Sequence, residues 1–425
     1  MRYISTRGGV APTRLSDAIA AGIAPDGGLY VPQTMPRVPL PPANGYLAGT
    51  ALRMLEPFFA GDPLEDDLPA ICAEAFAFPA PRRELNIEGA HMLELFHGPT
   101  AAFKDFGARF LAACVSRLRR DSDRPLTILV ATSGDTGAAV GAAFHNLPGV
   151  RVAILYPDNR VSPRQAHQLG SFGGNVHALR VEGSFDDCQR MVKGALGDSA
   201  LQADVPMSSA NSISLGRLLP QMAYFGHASL SADAPMNVIV PTGNLGNAVA
   251  CLWAREIGLP IGDVLFACNA NDTLPEFFGG MPYRARDAVA TIANAMDVGA
   301  PSNFERLTHL FGGEANTRTR GNAESVDDAE IRDTIHRHAA SDDEVFCPHT
   351  ATGVRMLERK RRSGDLRPWT IAATAHPAKF DTIVEPLIGR RVVVPDALAA
   401  MLDRAATAQP IAADLPTFAG WLRGW

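Results

Sequence analysis

The stretch "MNVIVPTGNLGNAVACLWAREIG", residues 236–258, decides the fold class of this 425-residue chain. An apolar, β-branched run leads into a turn with two glycines, and an apolar helical pattern leaves that turn. Continuous apolar strands followed by helices are typical of parallel strands that are buried on both faces. The segment therefore predicts an α/β fold whose ligands bind at the loops that follow the strands.

The same order recurs elsewhere in the chain. "LTILVATSGDTGAAVGAAF", residues 126–144, is again a strand, a turn of small residues and a helix. "DVLFACNAND" (263–272) and "WTIAATAHPAKF" (369–380) are further candidates for buried strands. Residues 1 to about 90 differ, because they contain short helical patterns separated by turn and proline clusters.

Composition and charge exclude several classes of protein. The chain is 46% hydrophobic and 20% charged, with a formal net charge of −6. It has no basic block, so neither a nucleic acid nor a membrane surface is expected as a partner. No segment approaches the roughly 20 apolar residues that span a bilayer, and the polar start lacks a signal-peptide core. We therefore expect a cytoplasmic protein.

Cysteine and histidine patterns give no metal site. The six cysteines are scattered without a CxxC pair, which favours small buried thiols over zinc ligands or disulfides. His336 and His338 stand two residues apart and do not share a helix face, so both are expected to be solvated.

The loop "PTGNLGN", residues 241–247, is a candidate anion site. Gly243 and Gly246 allow a ligand to approach the backbone closely, and Asn244 and Asn247 are expected to cap the following helix. The N–H groups at a helix N-terminus, together with the helix dipole, favour an anion such as phosphate. A plain turn between strand and helix remains the alternative.

The loop "TSGDTG", residues 132–137, has the same construction. Ser133, Gly134, Thr136 and Gly137 offer hydroxyl and N–H groups that suit a carboxylate or another anion. Asp135 would repel an anion unless its carboxylate serves another group. An ordinary capped helix start remains the alternative.

Two further segments carry weaker signals. "SANSISLGR", residues 209–217, brings Asn211, Ser212 and Arg217 close together in sequence. Arginine is a natural bidentate partner for phosphate or carboxylate, although most arginines are surface residues. Thr374 follows an apolar run, so its hydroxyl could reach a ligand at the carboxyl end of a strand.

Lys104 is the candidate for covalent chemistry. In "FHGPTAAFKDFGARF", residues 96–110, it follows a Gly-Pro turn and stands among phenylalanines. An apolar setting lowers the pKa of a lysine, and the neutral amine forms Schiff bases with carbonyl substrates or with pyridoxal phosphate. Pyridoxal phosphate also needs a phosphate site and a partner for its ring nitrogen, which residues 243–247 and Thr374 could supply.

The motifs together resemble one enzyme family. "HGPTAAFKDFG", "ATSGDTGAA", "SSANSISLGRLLPQ", "PTGNLGN" and "TAHPAKF" occur in the order found in threonine synthases, and the opening segment is similar to that of the family's microbial and fungal branch. The resemblance implies a fold type II pyridoxal-phosphate enzyme. Its expected architecture has two open, twisted, mostly parallel sheets flanked by helices and an N-terminal family-specific subdomain.

The resemblance also implies domain boundaries. An N-terminal domain would span residues 1–92, and a small domain with the Schiff-base lysine would span 93–228. A large domain with the phosphate loop would span 229–425.

The resemblance assigns residues to the cofactor, pyridoxal 5′-phosphate. Lys104 resembles the Schiff-base lysine, Thr374 resembles the hydroxyl partner of the ring nitrogen, and Asp135 is expected near the 3-hydroxyl of the ring. The cofactor phosphate is expected on Gly243, Asn244, Leu245, Gly246 and Asn247. Leu245 stands where many members carry phenylalanine, an exchange expected to change packing and not binding. Asp105 is expected to face away from the cofactor and to hold the start of its helix.

The remaining residues resemble the substrate contacts of the family. The substrate carboxylate is expected on Ser133, Gly134, Thr136 and Gly137, and the substrate phosphate on Asn211, Ser212 and Arg217. The implied reaction is γ-elimination of phosphate from O-phospho-L-homoserine followed by addition of water at Cβ. A monomer or weak homo-oligomer without a metal is expected.

Other functions remain open at this point. A fold type II relative such as threonine dehydratase or cysteine synthase shares the lysine and the phosphate loop. A binding protein that has lost catalysis, or a nucleotide-binding regulatory protein, could reuse the same loops.

Overall fold

Two large β-sheets dominate the computed structural model, which describes residues 1–40, 45–120, 122–158 and 161–425. The strands are β1 Tyr3–Ser5, β2 Tyr30–Pro32, β3 Arg82–Glu84, β4 Ala90–Glu94, β5 Leu126–Ala131, β6 Val150–Pro157, β7 Val176–Glu182, β8 Met207–Ser209, β9 Met236–Pro241, β10 Ile261–Cys268, β11 Ala323–Ser325, β12 Trp369–Ala373 and β13 Gln409–Ala412. One sheet has the order β11-β10-β9-β12-β4-β3 and the other the order β13-β7-β6-β5-β8.

Helices connect and cover these strands. They are α1 Leu15–Ala21, α2 Leu47–Phe59, α3 Leu68–Ala75, α4 Lys104–Leu118, α5 Asp135–Phe144, α6 Pro163–Gly170, α7 Phe185–Gly197, α8 Ser199–Asp204, α9 Leu215–Leu218, α10 Gln221–Leu230, α11 Gly246–Glu256, α12 Thr273–Phe278, α13 Phe304–Phe311, α14 Glu314–Arg320, α15 Asp328–Ser341, α16 Pro348–Arg362, α17 Asp381–Ile388, α18 Asp396–Leu402 and α19 Leu415–Gly424. Short 3-10 helices span Asn294–Met296 and Pro377–Phe380.

The strand pairing is parallel throughout both large sheets except between β3 and β4. Every residue of β5 and of β12 is buried, which explains why these strands read as continuous apolar runs. The predicted α/β class, with two open and mostly parallel sheets flanked by helices, is confirmed.

The sheets are not built from single continuous segments. β4 lies just before the Lys104 loop in sequence, but it pairs in the six-stranded sheet with β12, which comes much later in the chain. β13, near the end of the chain, pairs with β7 in the five-stranded sheet. The boundaries 1–92, 93–228 and 229–425 stay predictions, and both sheets draw strands from across them.

The N-terminal region packs on the rest of the molecule through its helices. β1 and β2 form a small antiparallel sheet, and α1 and α3 lie against α4 while α2 lies against α10. Arg306 on α13, which is fully buried, donates from Nε to the carbonyl of Tyr30 at 3.0 Å and from Nη2 to that of Ile213 at 2.7 Å. The N-terminal region is thereby tied to the loop that follows β8.

The prediction that both neighbouring histidines are solvated is wrong for His338. His336 is exposed, but His338 lies buried under α16, with Nδ1 2.7 Å from the Asp342 carboxylate and Nε2 2.9 Å from that of Glu358. The Glu358 hydrogen bond raises the pKa of His338 against the opposing effect of burial. The spacing of two residues shows that His336 and His338 lie on different faces of their helix. It does not show that another helix, here α16, covers one of these faces.

The cysteines behave as predicted, since all six are free and buried. In the part of the chain that the structure describes, no helix is long and apolar enough to cross a membrane.

Candidate active site

A cleft of about 1210 Å³ lies at the carboxyl ends of β5, β8, β9 and β12. The predicted site residues that line it are Lys104, Ser133, Asp135, Thr136, Asn211, Ser212, Arg217, Gly243, Asn244, Gly246, Asn247 and Thr374. The other three, Gly134, Gly137 and Leu245, do not line it but shape the two loops that do. Within each sheet the parallel strands end at the same edge, and the cleft is lined by loops from both sheets, so loops far apart in sequence meet here.

The backbone before Lys104 is pinned to the segment after β12. The N–H of Phe103 donates to the carbonyl of Thr374 at 2.8 Å, and the N–H of His376 donates to that of Ala101 at 3.0 Å. Lys104 is the first residue of α4, and its Nζ lies 5.7 Å from the centre of the Phe103 ring. The predicted juxtaposition of Lys104 with Thr374 therefore has a direct backbone cause.

Asp105 holds the turn that precedes α4. It is buried, and its carboxylate accepts from the N–H of Thr100 at 2.8 Å and from the Thr100 hydroxyl at 2.7 Å. A Cβ on Gly98 would lie 2.5 Å from Oδ2 of Asp105, so only glycine lets the carboxylate approach. Burial raises the pKa of Asp105 to about 6. Asp105 does stabilise the helix start, through the preceding turn.

Lys104 and Asp135 perturb each other electrostatically. Burial lowers the pKa of Lys104 to about 8, although the negative charge of Asp135 opposes this effect. Burial also raises the pKa of Asp135, but Lys379 and Lys104 outweigh it and hold that pKa below its ordinary value. The cleft thus combines an amine that loses its proton readily with a carboxylate that stays ionised.

We call residues 132–137 the aspartate loop. Thr132, just after β5, accepts the N–H groups of Gly134 and Gly137 on its Oγ1, each at 2.9 Å. The expectation that these two glycines offer free N–H groups is therefore wrong. Their assignment to the substrate carboxylate stays a prediction, but it would require the Thr132 hydroxyl to give way.

We call residues 242–247 the glycine loop. Within the described part of the chain, the N–H groups of Gly243, Asn244, Gly246 and Asn247 have no protein acceptor. These groups lie at the N-terminus of α11, whose first turn contains no acidic residue. Free N–H groups at the positive end of a helix dipole form a phosphate site.

The conformation of the glycine loop depends on an unusual residue. Leu245 adopts a left-handed φ of 62° while its side chain is fully buried. A Cβ on Gly243 would lie 2.7 Å from the carbonyl oxygen of Met296, so the loop passes close to a neighbouring backbone. Burial of Leu245 supports the view that its exchange for phenylalanine concerns packing.

The predicted capping role is wrong for Asn244, because Leu245 is the N-cap residue of α11 and no side chain caps it. Asn247 lies in the first turn itself, where its Oδ1 accepts the N–H of Ala248 at 3.0 Å. Asn244 donates from Nδ2 to Oγ of Ser212 at 2.6 Å, which links the glycine loop to the next segment. Asn247 accepts the hydroxyl of Thr242 at 2.8 Å and donates to the Pro241 carbonyl at 2.9 Å.

The segment 211–217 supplies a buried cation. Arg217 is almost fully buried and lines the cleft, and its Nε has no hydrogen-bond partner among the described residues. Burial lowers the pKa of Arg217 to about 10, so it remains a cation at neutral pH. Nη1 of Arg217 donates to the carbonyl of Ala210, but no carboxylate among the described residues pairs with this buried guanidinium. A buried cation without a counter-charge points to a missing anion.

Asn211 differs from Arg217 because its side-chain amide already makes hydrogen bonds to the protein backbone. Its Nδ2 donates to the carbonyl of Ala131 at 2.8 Å, and its Oδ1 accepts the Ala131 N–H at 3.3 Å. Asn211 therefore fixes this segment to the end of β5.

Four residues of the site were missed by sequence reasoning. Lys379 is fully buried, with Nζ 2.9 Å from Oδ1 of Asp135, and Gln165 donates to the same oxygen at 3.1 Å. His349 lines the cleft and accepts the Ala295 N–H on Nε2 at 3.0 Å. Burial lowers the pKa of His349 to about 4, so it is neutral.

The fourth missed residue is Asp297. It also lines the cleft, and burial raises its pKa to about 7. Lys379 stands in the motif "TAHPAKF", and Asp297 stands in "ANAMDVGAPSNFERL", residues 293–307, a segment that also resembles the family, but neither motif indicated a role for these two residues. His349 and Gln165 stand in none of the motifs.

Comparison with known families matches three parts of the chain, two of which overlap. Residues 77–376 match the family described as "Pyridoxal-phosphate dependent enzyme". Residues 2–76 match "Threonine synthase N terminus", and residues 350–419 match "Threonine synthase, C-terminal".

Individual relatives agree with these matches. The threonine synthase of Serratia marcescens is 38% identical over 393 residues, covering 90% of each chain. That of Escherichia coli K12 is 37% identical over 399 residues, covering 91% of each.

Solved structures agree as well. The crystal structure of threonine synthase from Escherichia coli superposes with a TM-score of 0.91 at 33% identity and covers all of both chains. A PLP-bound threonine synthase from Brucella melitensis superposes with a TM-score of 0.90 at 34% identity, covering 100% of this chain and 99% of that one.

Proposed function

The chain belongs to the threonine synthase family of pyridoxal-phosphate-dependent lyases, and we propose that its cleft converts O-phospho-L-homoserine and water into L-threonine and inorganic phosphate. The observation that carries this substrate is that the cleft holds two separate anion-binding groups. The glycine loop offers N–H groups at the start of α11, and Arg217 offers a buried guanidinium whose Nε has no hydrogen-bond partner and which pairs with no carboxylate among the described residues. One suits the cofactor phosphate, and the other suits a phosphate on the substrate.

The residues present fit the cofactor, pyridoxal 5′-phosphate. The glycine loop would hold its phosphate, the amine of Lys104 would join its aldehyde carbon, and the neutral hydroxyl of Thr374 would face its ring nitrogen. Asp135, which stays ionised, would accept a hydrogen bond from the ring hydroxyl. When bound, the cofactor supplies an electron sink for charge that develops beside the substrate nitrogen.

Lys104 would move the protons. Its pKa of about 8 leaves part of the amine unprotonated near neutral pH, so it can remove the Cα proton as a general base. The same group can return a proton to carbon later in the cycle, because the backbone that precedes it is pinned to the Thr374 segment.

Arg217 would hold the leaving group. When the Cγ–O bond breaks, the phosphate departs with the bonding electrons, and the guanidinium stabilises that charge. Ser212 would add a hydroxyl to this phosphate site, and Asn211 would hold the segment on β5. Ser133 and Thr136 would bind the substrate carboxylate from the aspartate loop.

The overall reaction balances without an oxidant or reductant. Cγ loses phosphate and gains a proton, while Cβ exchanges a proton for the hydroxyl of water. The remaining proton of water stays with the phosphate.

Arg217 also separates this function from its rivals. The substrates of threonine dehydratase and of cysteine synthase carry no phosphate at Cγ, so neither explains a buried arginine that lines the cleft without a carboxylate partner among the described residues. A regulatory or purely binding protein would not need an amine of lowered pKa beside the phosphate loop.

The test is release of phosphate and formation of threonine from O-phospho-L-homoserine. We expect turnover by wild type, a loss of about 1000-fold or more in Lys104→Ala, and wild-type rates in Lys360→Ala, a remote lysine on α16. Turnover by Lys104→Ala close to wild type would contradict the role of Lys104. Production of an α-keto acid from serine or threonine, without phosphate release, would favour the dehydratase alternative.

The cytoplasmic location and the monomeric or weakly homo-oligomeric state stay predictions from the sequence. Size-exclusion chromatography with light scattering would check the second.

A further inference from the structure

Lys379 is a buried charge with no role in the proposed reaction. It lies in the 3-10 helix Pro377–Phe380 and is fully buried. Lysine is almost never fully buried unless its ammonium group is paired. Here Nζ lies 2.9 Å from Oδ1 of Asp135 and donates to the carbonyl of Thr100 at 2.7 Å. Burial of an ion pair costs desolvation free energy, so stability alone does not explain why Lys379 is buried here.

The two contacts of Lys379 join three parts of the site. Asp135 begins α5, Thr100 belongs to the turn before Lys104, and Lys379 itself follows β12. Its own segment is held from α6, because the Ser162 hydroxyl donates to the Lys379 carbonyl at 3.1 Å. One ammonium group thus sets the position of the aspartate loop relative to the lysine turn.

The ion pair also orients the Asp135 carboxylate. Lys379 and Gln165 both donate to Oδ1, at 2.9 and 3.1 Å. Oδ2 receives no hydrogen bond from the described residues, and Asp135 lines the cleft. One oxygen is therefore fixed by protein, and the other is presented to the cleft.

Lys379 adds a positive charge near Lys104. The other charged or titratable groups that face Lys104 are Asp135 on α5, Arg217 on α9 and His349 on α16, with Asp105 next to it on α4. Asp135 favours the protonated form of Lys104, whereas Arg217 and Lys379 oppose it. If Lys379 were absent, its positive charge would no longer offset that of Asp135, and Asp135 would favour the protonated form of Lys104 more strongly.

We propose that Lys379 is a positioning residue that orients Asp135 and offsets its charge, so that the amine of Lys104 is released for reaction. The inference rests on the proposed role of Lys104, and it concerns this chain's own residues. Lys379 touches neither substrate nor cofactor in this account; it acts through Asp135 and the turn at Thr100.

The test measures the amine of Lys104 directly. The chain has only four lysines: Lys104, Lys193, Lys360 and Lys379. Full-length protein freed of cofactor is labelled with trace acetic anhydride across a pH series. The labelling of the peptide that contains Lys104 then gives the midpoint of its deprotonation, and exposed Lys193 serves as the internal reference.

In Lys379→Met, we expect the midpoint of Lys104 to rise by about one pH unit or more, because one opposing charge is lost. Lys379→Arg keeps the charge and should restore the midpoint towards that of wild type, whereas a purely structural role predicts no such dependence on charge. Lys360→Met, which removes a remote lysine, should leave the midpoint unchanged.

Asp135→Asn should move the midpoint of Lys104 in the opposite direction. If Lys379→Met does not fold by circular dichroism, Lys379→Gln decides instead, since it keeps an amide donor and lacks the charge. An unshifted midpoint in a folded neutral variant would overturn the proposal.

The proposal and the proposed function can fail separately. A shifted midpoint in a protein that releases no phosphate from O-phospho-L-homoserine would support the role of Lys379 and refute the substrate. Normal turnover with an unshifted midpoint would overturn the role of Lys379 alone.

Discussion

The aspartate loop and the glycine loop are built on one plan but present opposite charges to the same cleft. Each follows a buried parallel strand, begins with a threonine and opens a helix. The aspartate loop places Asp135 in the first turn of α5, where Lys379 pairs with it. The glycine loop has no acid in the first turn of α11.

The two threonines explain much of this difference. Oγ1 of Thr132 accepts two N–H groups of its loop, whereas Oγ1 of Thr242 accepts only that of Leu245 at 3.1 Å. One loop therefore uses its donors internally, and the other leaves them for a ligand. The comparison teaches that the same strand–turn–helix pattern can form a cation partner or an anion site, depending on one acid and one hydroxyl.

Removing the acid should have the largest effect. Asp135→Asn makes the aspartate loop neutral and leaves Lys379 buried without its partner. We expect about 4 kcal/mol lower stability and at least about 100-fold lower kcat/KM for phosphate release. Urea unfolding and the phosphate assay measure the two quantities. Asp396→Asn, an exposed aspartate in the first turn of α18, is the matched control and should change neither.

Removing the threonine hydroxyl of each loop should have the next largest effect, and this effect should differ between the two loops. Both threonines are buried, so Thr→Val leaves unsatisfied N–H groups. We expect Thr132→Val to lower the free energy of unfolding by about 3 kcal/mol and Thr242→Val by about 2 kcal/mol. Thr242→Val strands one N–H group instead of two, and the Oδ1 of Asn247 that loses the Thr242 hydroxyl keeps the N–H of Ala248. Equal losses in urea unfolding would contradict the proposed difference between the loops.

Adding an acid to the glycine loop should weaken its anion site. Asn244→Asp places a carboxylate beside the free N–H groups, and repulsion of the cofactor phosphate should reduce cofactor affinity about 30-fold, or about 2 kcal/mol. Titration of the apoprotein with pyridoxal phosphate, followed by absorbance, measures this affinity. Asn316→Asp, at an exposed position on α14, should bind as wild type does.

The smallest expected effect is a loss of stability at acidic pH. The pKa of Asp135 is lowered in the folded state, so its contribution is complete above the unfolded pKa and is lost as the pH falls towards the folded one. Relative to the double variant Asp135→Asn/Lys379→Met, wild type should lose about 1 kcal/mol between pH 5 and pH 3. A difference that stays constant or grows over this range in urea unfolding would contradict the lowered pKa.

Much of the fold could be predicted from local pattern. The buried strands β5, β9 and β12 read as apolar runs because both of their faces are covered, and the helices α5 and α11 follow at once. The fold type II architecture and the family, expected from the order of the motifs, are confirmed. The pairing of β4 with β12 and of β13 with β7 had no local signal, because pairing joins distant segments.

The site divides in the same way. Lys104, the glycine loop and Arg217 were predicted from residue types next to strand ends and turns, together with the order of motifs that resembles the family. The capping role of Asn244 and the free N–H groups of Gly134 and Gly137 were predicted wrongly. In each case a hydrogen bond to a neighbouring loop or side chain took the group.

The sequence by itself determined which segments are buried strands, which loops follow them, and which reactive residue types those loops carry. These properties are local, since they depend on periodicity, on turn residues and on the intrinsic chemistry of side chains. The tertiary structure alone decided which groups are free. It buried Lys379 against Asp135, used the amide of Asn211 on β5 and left Nε of Arg217 without a partner among the described residues. Hydrogen-bond satisfaction and desolvation depend on neighbours that are distant in sequence, so they exist only once the chain has folded.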